Sequence, residues 1–315
     1  MENMSDDNKE LDSSFMVSEP SHWGGRWTEE KLDAFEKYVK AYLTIMNTFR
    51  DKCHWKLLYF DGFAGSGSRI DRRKDSDSSL MLDFFNDDFL KIEELNVYKG
   101  AAERVLSIPQ RGFDYYYFID KDEESSLKLK NVLSQYEKDH KLVFRNSDAN
   151  QQIVRLVNAM KKDRSLTSLV LLDPFGMQVD WKSIELLKGI HVDLWILIPT
   201  GVIINRLLDK KGELAYIDKL TTYFGKDETF LRDYFYSKKQ ESTLFGDVEI
   251  IEKVKEPIMK IAELYICQLR TIFKFVTPNP LILYNTRKTP IFHFACASNN
   301  KVAIKIANEI ISLKQ

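Results

Sequence analysis

The sequence predicts an α/β protein built on a mostly parallel, doubly wound sheet. Short apolar runs such as "LLYFD" (57–61), "YYYFID" (115–120), "LVLLD" (169–173) and "VDLWILI" (192–198) are continuous rather than alternating. Amphipathic stretches of helical period separate most of them, and a glycine-rich turn follows the first run directly. Continuous apolar strands alternating with helices imply a parallel sheet covered on both faces.

Taken in order, 31–50 reads as a helix, with Leu32, Phe35, Val39, Tyr42, Leu43 and Met46 at three- and four-residue spacing. Thr28 is the predicted N-cap, with Glu29 and Glu30 in the first turn. A strand at 57–61 leads into a polar loop over 62–77, and 78–89 reads as a helix. The strand at 115–120 precedes a helix over 123–138 whose expected inward face is Leu127, Leu129, Val132, Leu133 and Tyr136. A third strand at 141–145, a helix at 153–162, the strand at 169–173, a short helix at 183–189 and the strand at 192–198 complete the alternation.

Beyond Gly201 the pattern changes. Residues 201–272 read as helical, the longest stretch being 248–273, broken or kinked near Pro257. Strand-like runs follow at 273–277, 281–284 and 290–297, then a helix over 300–313. The predicted organisation is an acidic, disordered tail at 1–22 and a Rossmann-like cofactor-binding core at 23–200. A helical insertion at 201–272 selects substrate or partner, and final strands and a helix at 273–315 complete the core.

The chain of 315 residues is long enough for a full core, and its net charge of -1 gives no global basic field. Six acids stand against Lys9 in residues 1–20, which leaves the rest of the chain net positive. Cys53, Cys267 and Cys296 are far apart and show neither disulfide nor zinc spacing, so the expected compartment is a reducing cytoplasm. No basic segment followed by an apolar stretch marks a signal peptide. The most apolar run, 194–204, is interrupted by Pro199 and too short to span a bilayer, so no membrane partner is expected.

The turn after the first strand carries the chemistry. "DGFAGSGSR" places Gly62, Gly65 and Gly67 directly behind Asp61. Glycines there let a ligand approach the backbone, at the carboxyl end of a strand where parallel sheets bind ligands. A phosphate-cradling P-loop needs Gly-Lys-Ser/Thr, and no lysine stands here. A dinucleotide fingerprint reads G-x-G-x-x-G, whereas this order is G-x-x-G-x-G. An acid ahead of the glycines suits a cationic ligand better than a pyrophosphate. S-Adenosylmethionine, with its ammonium and sulfonium, is the expected cofactor.

Three further acids stand at strand ends. Asp120 is placed to accept ribose hydroxyls, Asp148, followed by Ala149, to receive an adenine amino group, and Asp173 closes "LLDPFG". A single strand-end aspartate is more often a turn former or helix cap; four together favour a ligand site.

"DGFAGSG", "FID", "DAN", "LLDPFGMQVDW", "DLWILIPTGVIINRLL" and "FHFACASNN" resemble the three-Cys-motif partner proteins, bacterial and phage proteins with a class I methyltransferase-like fold. The resemblance runs from about Trp27 to the C-terminus. It implies S-adenosylmethionine as cofactor and a neighbouring three-cysteine-motif protein as partner. Asp173-Pro174-Phe175 also resembles the Asp/Asn-Pro-Pro-Tyr/Phe motif of methyltransferases acting on adenine or cytosine amines. Carried over, the Asp173 carboxylate and the Pro174 carbonyl accept the amine's two N–H groups, and Phe175 stacks on the base. The motif's second proline is absent here, and Gly176 follows Phe175.

The function expected is methyl transfer to an amino group of a nucleic acid or nucleotide. The alternatives are a non-catalytic partner of the three-cysteine protein and a nucleotide-binding enzyme of another class. Arg72 and Arg73, in a basic loop with Arg69 and Lys74, are candidate substrate contacts, as are Asn205 and Arg206 after the fifth strand. His293 reads as structural, the histidines show no metal spacing, and Tyr115–Tyr117 reads as core.

Overall fold

The computed structural model describes residues 26–67, 99–243 and 246–314. The acidic tail, the basic loop with Arg72 and Arg73, and the helix expected over 78–89 lie outside the described residues.

The first helix, α1 (Arg26–Cys53), begins earlier than its apolar spacing suggests. Thr28 is therefore inside the helix and not its cap, and its hydroxyl oxygen is buried with no hydrogen-bond partner among the described residues. Then come β1 (Lys56–Asp61), α2 (Ala101–Leu106), β2 (Tyr115–Asp120), α3 (Glu123–Leu133) and β3 (Leu142–Asn146). The alternation continues through α4 (Ala149–Lys162), β4 (Leu166–Leu172), α5 (Trp181–Glu185) and β5 (Val192–Ile198). Helix α3 is shorter than expected and ends in a 3₁₀ turn, Ser134–Tyr136. It buries Ser125, Leu129 and Leu133 at four-residue spacing, which leaves Leu127 56% and Val132 36% exposed rather than inward.

A π-helical turn, Thr200–Ile204, follows β5. The remainder is α6 (Ile217–Phe224), α7 (Glu228–Phe235), β6 (Tyr236–Thr243), β7 (Gly246–Lys253), α8 (Pro257–Ile272), β8 (Phe275–Val276), β9 (Leu281–Tyr284), β10 (Pro290–Ser298) and α9 (Lys301–Ser312). The insertion is thus not wholly helical: β6 and β7 form a separate antiparallel hairpin. Pro257 does not kink a long helix but opens α8 at its first turn, where its missing N–H is harmless.

The large sheet is mixed and mostly parallel, compatible with a Rossmann-like fold. Its order is β3-β2-β1-β4-β5-β10-β8, with β9 also on β10. Strands β1 to β5 pair in parallel, and β10 runs antiparallel to β5, β8 and β9. Nearly every residue of β1, β4 and β5 is buried, so both faces are covered. The chain steps outward from β1 to β3 and returns to β4 on the other side of β1. That reversal places a crevice at the carboxyl ends of β1 and β4.

Helix α1 lies across one face. Phe35 packs on Tyr59, Trp195 and Phe294 at ring separations of 6.2, 6.2 and 6.5 Å. The Tyr38 hydroxyl donates to half-buried Asp193 on β5 at 2.8 Å, and Ser298 of β10 donates to the same carboxylate. Arg50, 2% exposed, pairs with Asp114 at 2.6 Å. These contacts fix the helix that reaches the crevice. Among the described residues no helix is long and apolar enough to cross a membrane.

Candidate functional site

The turn after β1 is stitched to both neighbouring strands. The Gly62 N–H donates to the Leu171 carbonyl and the Ala64 N–H to that of Ile119, each at 2.9 Å. Gly65 and Gly67 have φ of +62° and +72°, a left-handed backbone that glycine adopts without strain. A Cβ on Gly62 would stand 2.6 Å from Leu172 Cδ2, and one on Gly67 would stand 2.8 Å from Leu129 Cδ1. The glycines let the turn lie flat on β4 and α3.

Two acids hold this turn. Asp120 accepts the Gly65 N–H on Oδ2 and the Asp122 N–H on Oδ1, both at 2.8 Å. Asp61 is 2% exposed, accepts the Phe63 N–H at 3.2 Å, and receives the Tyr59 hydroxyl at 3.3 Å. Burial pushes its carboxyl up to about 7, the Phe63 N–H opposes that, and the Asp173 charge adds to it. The Tyr59 hydroxyl also lowers it, and Asp120 raises it further. Asp61, Asp120 and Asp173 therefore share one electrostatic neighbourhood, which a cation would relieve. With so little exposure, Asp61 reaches a ligand as a field across the loop backbone rather than by open contact.

Asp173 follows β4, and its Oδ2 lies 2.5 Å from Lys31 Nζ, reached from α1 across 142 residues. Pro174 behind it is buried, and Phe175 is 42% exposed. Asn150 fixes this loop from the start of α4. Its Nδ2 donates to the Gln178 carbonyl at 2.9 Å, and its Oδ1 accepts the Asp180 N–H at 3.0 Å. The Gly176 N–H closes the turn on Gln178 Oε1 at 2.9 Å. The "DAN" and "LLDPFGMQVD" segments are thus joined.

Asp148 caps α4 by accepting the Gln151 N–H, with Ala149 buried as the first helical residue. The structural role of a strand-end aspartate is visible here. Burial, and then the Asp148 charge, raise the Asp180 carboxyl nearby. Asn205 does not present its side chain freely to a substrate. The Lys253 ammonium from β7 takes both its Oδ1, at 2.9 Å, and its carbonyl, at 2.7 Å. Arg206 is exposed. His293 is buried, as its alternation with Phe292 and Phe294 suggests. Its Nδ1 pairs with Thr200 Oγ1 at 2.8 Å, and burial pushes it down to about 4. Tyr116 is buried in the core, and Tyr115 and Tyr117 are partly buried against the core cluster. No group of His, Cys, Asp or Glu among the described residues could hold a metal ion.

The sequence does not point to Lys31, Tyr59 or Asn150. Only "DAN" carried a local signal, and there the asparagine positions the loop after β4 while the aspartate caps the helix.

No protein-family model and no curated protein matches the chain. A crystal structure of protein LPL1258 from Legionella pneumophila str. Philadelphia 1, designated family DUF519, is similar at 14% identity, covering 92% of this chain and 93% of that one, with a TM-score of 0.47.

Proposed function

We propose that this protein is an S-adenosylmethionine-dependent methyltransferase acting on an amino group of a nucleic acid or nucleotide. On this reading the sheet is that of a class I methyltransferase, and the chain belongs with the three-Cys-motif partner proteins that its motifs resemble. The observation that carries the proposal is the buried Asp61 beneath a left-handed glycine turn, with Asp120 and Asp173 close enough to raise it. Three acids around one backbone turn disfavour a phosphate and favour a ligand with positive charge. The residues present fit the cofactor: Gly62, Gly65, Gly67, Asp120, Asp148 and Ala149 would hold it, with Asp61 acting through its charge beneath the turn. When bound, it supplies an electrophilic methyl group on a cationic sulfur.

The chain's own contribution is positional. An exocyclic amine is a weak nucleophile because its lone pair is delocalised into the ring. Asp173 and the Pro174 carbonyl accept its N–H groups, which turns the lone pair out of the ring plane and holds it in place. Phe175, exposed beside them, offers a face to the base.

Methylation and thermal melting of Phe175→Ala test this assignment. Because the ring is 42% exposed, melting should shift by no more than about 0.5 kcal/mol equivalent. Methylation of single-stranded nucleic acid should fall by the loss of roughly 1–3 kcal/mol of stacking. Lost stability with unaltered activity per folded molecule would make the ring a packing residue and remove the stacking role.

A further inference from the structure

We propose that Lys31 is a positioning residue for methyl transfer, its ammonium holding one carboxylate oxygen of Asp173 so that the other meets the acceptor amine. The inference rests on the methyltransferase reading above.

Lys31 Nζ lies 2.5 Å from Asp173 Oδ2, with the lysine side chain 6% exposed and the aspartate side chain 22% exposed. The pair is therefore closed on the lysine's side and open on the aspartate's. The ammonium also lies 5.4 Å from the centroid of the Trp27 ring, and that ring packs on Phe292 of β10 at 5.0 Å. Helix α1 is itself held to β5 by Tyr38 and Asp193, and at its far end by Arg50 and Asp114. A lysine held on two sides, on a helix fixed along its length, stays in place when an amine arrives. An ionised carboxylate offers about four lone-pair sites, and a charge-assisted bond to one oxygen fixes where the rest point. Lys31 also places a positive charge directly on Asp173.

The test compares full-length wild type, Lys31→Met, Lys31→Arg and Lys56→Met. The probes are S-adenosylhomocysteine for binding and radiolabelled methyl transfer to single-stranded DNA and RNA. Lys31→Met should lower kcat about 100-fold, as expected for a misplaced reacting group, while KM and the S-adenosylhomocysteine Kd stay within roughly threefold. Lys31→Arg should recover about a tenth of wild-type kcat or more, since the cation returns but its geometry differs. Lys56→Met breaks the ion pair with Asp163 at the opposite end of β1 and β4; it should leave kcat per folded molecule unchanged. If Lys31→Met does not fold, Lys31→Gln takes its place in the comparison. Wild-type turnover in the uncharged variant would overturn the inference. So would a loss that Lys31→Arg does not relieve and that raises KM and Kd as much as it lowers kcat. A wild type that binds the cofactor but methylates nothing overturns the reading of the site itself, and the inference falls with it.

Discussion

Asp61→Asn is expected to make the ligand-free protein melt higher at pH 8 while sharply weakening its cofactor binding. Both effects follow from burial. The Asp61 carboxyl moves from its usual 3.8 to about 7, so keeping it ionised in the folded state costs on the order of 4 kcal/mol. A raised folded value means that the folded state holds its proton more tightly than the unfolded chain does. Its stabilising effect is fully present below about pH 4 and is lost as pH rises through about 7. The advantage of Asp61→Asn should therefore be largest above pH 7 and vanish towards pH 4. Asparagine can still accept the Phe63 N–H, so the turn survives the change. Binding moves the other way, because a cationic ligand prefers the ionised carboxylate. Wild-type affinity for S-adenosylmethionine should increase as pH rises through about 7, and the asparagine variant should lose that dependence. Melting curves at pH 5 and pH 8 check the first half. Equal melting of the two proteins at both values would mean that Asp61 is not buried as a carboxylate.

Asp173→Ala is expected to abolish detectable methyl transfer and to leave cofactor affinity within a few fold. Removing one preorganised hydrogen-bonding group from a reacting centre costs on the order of 10²–10³ in kcat. It also takes the carboxylate away from the Lys31 ammonium, which is 6% exposed, so this variant should melt lower. Adding Lys31→Met to Asp173→Ala should recover part of the melting temperature and none of the activity. That contrast separates the stabilising role of the pair from its chemical one. Full activity in folded Asp173→Ala would remove the aspartate from the site.

The parallel strands were legible because burial on both faces leaves a continuous apolar run, and β1 to β5 fall within a few residues of those runs. The β6–β7 hairpin was not. "VEIIEKV" mixes β-branched residues with glutamate and lysine, and Ile250 and Ile251 are both about 40% exposed, so no alternation marks a buried face. A two-sided, solvated hairpin gives up the pattern that would identify it. The glycine turn was legible because only glycine suits a backbone that is left-handed at Gly65 and Gly67 and pressed against β4 at Gly62. Lys31 was not legible at all, because its partner is 142 residues away and no local pattern carries that contact. Thr28 failed as a cap for a related reason: a good capping residue says nothing if the helix has already begun.

The most direct measurement is calorimetric titration of the wild-type protein with S-adenosylmethionine, S-adenosylhomocysteine and NAD at pH 8, repeated with Gly65→Val. Valine at a backbone φ of +62° strains the turn in which the Gly65 N–H meets Asp120. Saturable binding of the first two ligands, none of NAD, and strong weakening in correctly folded Gly65→Val are the expected results. No binding of either sulfur ligand to the wild type, or unchanged affinity in the folded valine variant, would contradict the assignment of this turn as a methyl-donor site.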